Sequence, residues 1–103
     1  MGQVMQPEIW IGTIEISFTD QGSSKAFKPA FTVVTTWATS AEEFREKCSK
    51  MLDSYGWKLL GVDWADPARE RTGFSEEVED MLERTRTNRN AIIYGTFHTY
   101  PVM

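Results

Sequence analysis

The last apolar run of the chain, residues 91–100, places Tyr94, Thr96, His98 and Tyr100 at every second position. On an extended strand that spacing puts two phenols, a hydroxyl and the chain's single imidazole on one face. Alternation in two other apolar runs, residues 9–18 and 57–64, brings Glu15 and Asp63 to the same side of such a sheet. Thr13, Ser17, Thr32 and Thr36 add hydroxyls to it. The sharpest chemistry this set suggests is a general base, with Glu15 or Asp63 orienting the imidazole of His98. The plainer reading is a solvated sheet face, or one half of a homodimer in which two such faces stack. Exposed faces of antiparallel sheets ordinarily carry this mixture of side chains.

Arginine supplies a second constellation. Arg69, Arg71, Arg84, Arg86 and Arg89 fall at the two ends of a helical stretch, where they are candidates to hold a phosphate or an acidic partner. Dipole-complementing side chains at a helix end explain them equally well. Cys48 stands on an apolar stripe with no His, Lys or second Cys at motif spacing, as a buried structural thiol would. A single imidazole allows no histidine-based metal set. No phosphate-binding glycine loop, nucleophile elbow, metal-ligand helix motif or dinucleotide fingerprint occurs, so no cofactor is expected.

The elements that must position these residues begin with strand, helix, strand over residues 30–64. Ala30 to Trp37 is rich in β-branched and aromatic residues. Ser40 with Glu43 forms a capping box, and Gly56 supplies the left-handed residue that stops the helix. Between them Phe44, Cys48, Met51, Leu52 and Tyr55 form an apolar stripe. The strand after it, 57–64, has Leu60, Val62 and Trp64 on its expected core side. Before this unit, residues 9–18 alternate as a strand with Trp10, Ile14 and Ile16 inward, and residues 1–8 read as a loose leader. After it, residues 68–73 are a loop or short edge strand. Ser75 caps a second helix with a narrower stripe of Phe74, Val78, Met81 and Leu82.

The order ββαβαβ predicts an α+β two-layer sandwich, a sheet of four or five strands with both helices on one face. Were residues 68–73 to pair, residues 30–100 would follow a ferredoxin-like order. Gly12, Gly61 and Gly95 lie centrally in three strands and mark either a hollow opened for a ligand or places where aromatic rings lie over the gap.

At 103 residues the chain fits one domain, 1–103. Its net charge of −4 argues against gripping nucleic acid and fits a basic partner. No apolar stretch approaches a membrane span, no secretory signal pattern opens the chain, and one Cys permits no internal disulfide, so the cytoplasm is the expected location. In size, acidity and layout the chain resembles small accessory and immunity-type proteins of bacteria, a likeness of general build that carries no site residue across. The leading expectation is a non-enzymatic protein-interaction module, acting as a homodimer or on another protein through the helix-free face or the strand edges. The alternatives are a small enzyme or ligand-binding domain built on His98, Tyr94 and Tyr100, and anion or nucleic-acid binding through the five arginines.

Overall fold

The computed structural model describes residues 6–17 and 30–99. Expectations for the start of the leader, for the connection ahead of Ala30 and for Tyr100 lie outside them. The elements are β1 (Glu8–Ser17), β2 (Ala30–Ala38), α1 (Ala41–Ser54), β3 (Lys58–Pro67), α2 (Glu76–Thr87), β4 (Ile92–Tyr94) and β5 (His98–Thr99), with a single 3-10 turn at Ala68–Glu70. The sheet runs β3-β1-β2-β4, with β5 pairing β2 beyond β4 along the same edge. Every pairing is antiparallel. The fold is therefore α+β: an antiparallel sheet four strands wide with two helices. No helix among the described residues is long and apolar enough to cross a membrane.

Local chemistry sets the helix ends. Ser40 Oγ accepts from the Glu43 amide at 3.1 Å, and Glu43 Oε1 accepts from the Thr39 amide at 2.8 Å. At the other end Gly56 takes φ +77°, while the Trp57 and Gly56 amides donate to Leu52 O and Asp53 O at 2.9 and 3.0 Å. These are the paired bonds of a glycine-terminated helix. Ser75 Oγ accepts from the Val78 amide at 3.3 Å to start α2.

Three expectations about the layers give way. First, the helices lie on opposite faces of the sheet. Val34 joins the buried cluster of Phe44, Cys48 and Leu52 from α1. Its neighbour Thr35 shares a 2.7 Å hydroxyl bond with Thr85 of α2. Successive side chains of a strand point to opposite faces, so β2 is sandwiched between the helices. Thr32 and Thr36, expected on a bare face, are 1% and 0% exposed. The hydroxyl of Thr36 donates to Ala91 O at 3.0 Å, and this pairing makes its burial tolerable. A strand covered on both sides carries no readable inside and outside, so alternation misassigned it.

Second, β3 contains two bulges. Its register on β1 jumps between Thr13↔Trp64 and Ile14↔Val62, and again between Glu15↔Gly61 and Ile16↔Leu59. Each bulge flips the parity of the residues beyond it. Leu59, Val62 and Ala65 consequently pack towards the α1 cluster, while Leu60 is left 46% exposed.

Third, the last strand is broken. Val34 pairs with Tyr94 but Phe31 pairs with His98, so three steps along β2 match four along the partner. The extra residue reverses the parity of everything after Tyr94. Residues 68–73, for their part, form a 3-10 turn and irregular chain rather than a strand, so the pairing that a ferredoxin-like order required does not arise.

Candidate functional site

Of the six residues expected on one face, the five described ones are distributed over separate places. Tyr94 sits on the α1 side, its ring 6.3 Å from that of Tyr55 and 5.2 Å from that of Phe97. A hydrogen bond with Tyr55 holds its phenol above the ordinary range, with burial as a smaller contribution. Thr96 is clamped to α2: its amide donates to Glu77 Oε1 at 2.7 Å and its hydroxyl to Glu77 Oε2 at 3.2 Å. His98 lies on the α2 side, stacked on Phe31 with ring centres 5.4 Å apart. Tyr100 lies outside the described residues.

Glu15 and Asp63 do come together. α2 ties itself to one half of its sheet face, where Trp37 Nε1 donates to Thr85 O at 2.6 Å and Thr35 meets Thr85. Among the described residues the other half forms a hollow of about 490 Å³ lined chiefly by Thr13, Glu15, Phe31, Gly61 and Asp63. The β3 bulges help shape it, since the extra residue between Val62 and Trp64 is Asp63 itself. A Cβ on Gly61 would meet nothing within 4 Å, so that glycine opens space. Gly12 does the reverse. A Cβ there would run into the Trp64 carbonyl oxygen and come within 2.9 Å of Phe44 Cζ, so this glycine is where the α1 core closes on the sheet.

The hollow does not assemble a general base. Glu15 is opposite Phe31, and Phe31 is opposite His98, which sets the Glu15 and His98 backbones two strand spacings or about 10 Å apart. The Phe31 side chain occupies the position between them. What the hollow offers is two carboxylates beside an aromatic ring, a combination suited to a cation. Glu15 and Asp63 are legible from sequence. Phe31 is not, because alternation assigns its strand the wrong inner face, and its pairing with Glu15 is the signal that finds it.

The five arginines are already engaged with the chain's own groups. Arg69 Nε bonds Glu8 at 2.7 Å, and that bond raises its pKa further. Arg71 holds Asp66 and lies 4.2 Å over the Trp64 ring. Arg84 pairs with Asp80 at 3.0 Å, Arg86 with Glu83, and Arg89 lies 4.7 Å over Trp37. Two of these pairs, Glu8–Arg69 and Glu83–Arg86, rim a second groove of about 640 Å³ floored by Ile9, Trp37, Phe74 and Leu82. Four of the five are thus paired with a carboxylate of the chain, and the fifth lies on a ring. Cys48 is fully buried under the sheet, and burial pushes its thiol up to about 12, which removes it as a nucleophile near neutral pH. Among the described residues no group of three or more His, Cys, Asp or Glu side chains is placed to hold a metal ion. No known family model matches the chain, and comparison with curated proteins and with solved structures gives no match.

Proposed function

We propose that this chain is a non-enzymatic interaction module that docks a basic segment of another protein on the open half of its α2-side sheet face. One observation carries the reading: the hollow holding Glu15, Asp63 and Phe31 lies beside β3, the edge strand on which Leu60 is exposed. Docking works through side chains entering the hollow rather than through open-ended strand addition. The two bulges twist β3 and spoil the regular ladder that an added strand would need. A net charge of −4 favours the same partner by long-range attraction.

A second copy of the chain is the poorer occupant. A two-fold pairing of this face would set Glu15 and Asp63 against their own counterparts, and like charges across an interface are unfavourable. An enzyme using His98 would have Glu15 two strands away from the imidazole, with Phe31 between them. The cytoplasm remains the expected setting.

The test is site-specific photocrosslinking in the source cells, with a photoreactive residue in place of Leu60 or, as control, Asp80 on α2. A discrete protein adduct is expected from Leu60, absent from Asp80 and lost when Asp63→Lys is added. Equal adducts from both positions, or none from Leu60, would sink the docking reading.

A further inference from the structure

We propose that the groove between α2 and the start of β1 is a small-molecule site for an organic monocation with an apolar body about the size of an aromatic ring. It stands apart from the hollow and holds whether or not a partner docks there.

The floor sets the body of the ligand. Ile9 and Trp37 are cross-strand partners on β1 and β2, and Phe74 and Leu82 join them from the loop before α2 and from α2 itself. All four are half-buried, and the space they border measures about 640 Å³. Ligand pockets ordinarily run from about 300 to 1,000 Å³. Trp37 is fixed before any ligand arrives: its Nε1 donates to Thr85 O at 2.6 Å, and Arg89 lies 4.7 Å over its ring. The strands beneath are already paired with each other, so no open strand edge underlies the groove. The backbone of a protein segment would find no ladder bonds there, whereas a small molecule needs none.

The rim sets the charge. α2 contributes Glu79, Leu82, Glu83 and Arg86 to the groove, the spacing of a single helix face. Three carboxylates, Glu8, Glu79 and Glu83, border it against two guanidiniums, Arg69 and Arg86, which leaves one negative charge over. Glu8 is held by Arg69 and Glu83 by Arg86. Glu79 is the odd carboxylate, and its side chain has no ion-pair or hydrogen-bond partner among the described residues. An anion would meet that charge, and a dication would find only one carboxylate to share. Arg86 follows Glu79 by seven residues, roughly 10 Å along the helix, and Arg89 lies beyond it. The ligand's ammonium therefore belongs at the Phe74 end of the groove, away from both guanidiniums, with its apolar body over Leu82 and Trp37.

The experiment is titration of the ¹⁵N-labelled full chain with three probes of one shape: 2-phenylethylammonium, neutral 2-phenylethanol and anionic 3-phenylpropionate. The cation should give saturable shifts at the amides of Ile9, Phe74 and Leu82 and at the Trp37 indole N–H, binding at least about threefold tighter than the alcohol. The anion should bind more weakly than the alcohol. Glu79→Gln should bring the cation to the affinity of the alcohol and leave the alcohol where it was. Asp80→Asn, whose parent carboxylate pairs with Arg84, should change neither. Phe74→Ala should weaken cation and alcohol together, by about tenfold. Glu79 is exposed, so Glu79→Gln decides the matter should Phe74→Ala fail to fold. Equal affinity for cation and alcohol, a Glu79→Gln chain that binds the cation as tightly as the parent, shifts confined to Thr13, Gly61 and Asp63, or no saturation with any probe would each overturn the inference. So would shifts of the groove amides with protein concentration alone, which would give the groove to a second copy of the chain.

Discussion

The two helices begin alike and hold the sheet by different means. Each starts on a serine cap with acidic residues in its first turn, and they are 14 and 12 residues long. α1 then buries Phe44, Cys48 and Leu52, all 0% exposed, against Ile14, Ile16 and Val34. α2 buries only Met81 and Thr85, and fastens itself by accepting hydrogen bonds from Thr35, Trp37 and Thr96. Dispersion and apolar burial are non-directional and reward continuous coverage. Hydrogen bonds are local and reward a few fixed points. One side of the sheet is consequently sealed, and the other is pinned at one end and left with a hollow.

The sharpest way to break that contrast is to cut each helix at its largest buried apolar residue. Phe44→Ala should lose about 3–5 kcal/mol, a large share of the total stability of a domain of this size. Met81→Ala, on the thinner layer, should lie at the low end of the range for its type, about 2 kcal/mol. Urea denaturation followed by tryptophan fluorescence measures both. Equal costs would mean that α2 is held by apolar packing after all.

The sealed side has its own pH signature. Cys48 is buried as the neutral thiol and pushed up to about 12 from an ordinary 9.0. As pH rises past 9 the unfolded chain loses this proton first, so the stability associated with the protonated thiol is fully present below about pH 8 and drains away between 9 and 12. At pH 10.5 the loss should be about 2 kcal/mol, at 1.36 kcal/mol per unit. Cys48→Ala should flatten the stability curve over that range by this amount. The raised phenol of Tyr94 acts in the same direction and is present in both proteins, so the difference between them isolates the thiol. A Cys48→Ala curve that falls as steeply as the parent's would show that the thiol is not sealed.

The same contrast explains how much is legible in the sequence. α1 can be read almost to the residue because its determinants are local: a serine, a glutamate three positions on, an apolar residue every three or four, and a glycine at the end. The α+β class comes from the order of such segments. The faces do not, because β2 is buried on both sides and its threonines satisfy their hydroxyls inside. Nor do the bulges at β3 and at the β4–β5 break, which are settled by the packing around each strand. Each bulge carries whole residue sets to the other face. Glu15 and Asp63 end together, while Tyr94 and His98 part.

On the pinned side the expected effects are smaller and more local. Thr85 Oγ1 donates to Met81 O at 2.7 Å and shares the 2.7 Å bond with Thr35. Thr85→Val keeps the shape and removes both, leaving Thr35 only its 3.4 Å approach to Met81 O. A loss of about 1–2 kcal/mol is expected, with the Thr35 hydroxyl less protected from exchange. A neutral result would mean that α2 is positioned by its charged ends instead.

The smallest effect should come from Glu77, and it bears most directly on the hollow. Its carboxylate fixes the residues between β4 and β5, the stretch whose extra position sends His98 to the face of Phe31. A Cβ on Gly95 would collide with Glu77 and approach Met81 Sδ at 3.1 Å, so helix and bulge are in close contact here. Glu77→Ala should lower global stability by no more than about 1 kcal/mol, because the lost bonds are exposed. The local consequence should be larger than the global one. Freed from its acceptor, the Thr96 amide should exchange roughly tenfold faster, the ratio that corresponds to about 1.4 kcal/mol of local opening, while the Ile14 amide under α1 should keep its protection. Hydrogen exchange by NMR reads both amides in one sample. If they quicken together, the bulge opens only with the whole domain, and the two sides of the sheet form one cooperative unit.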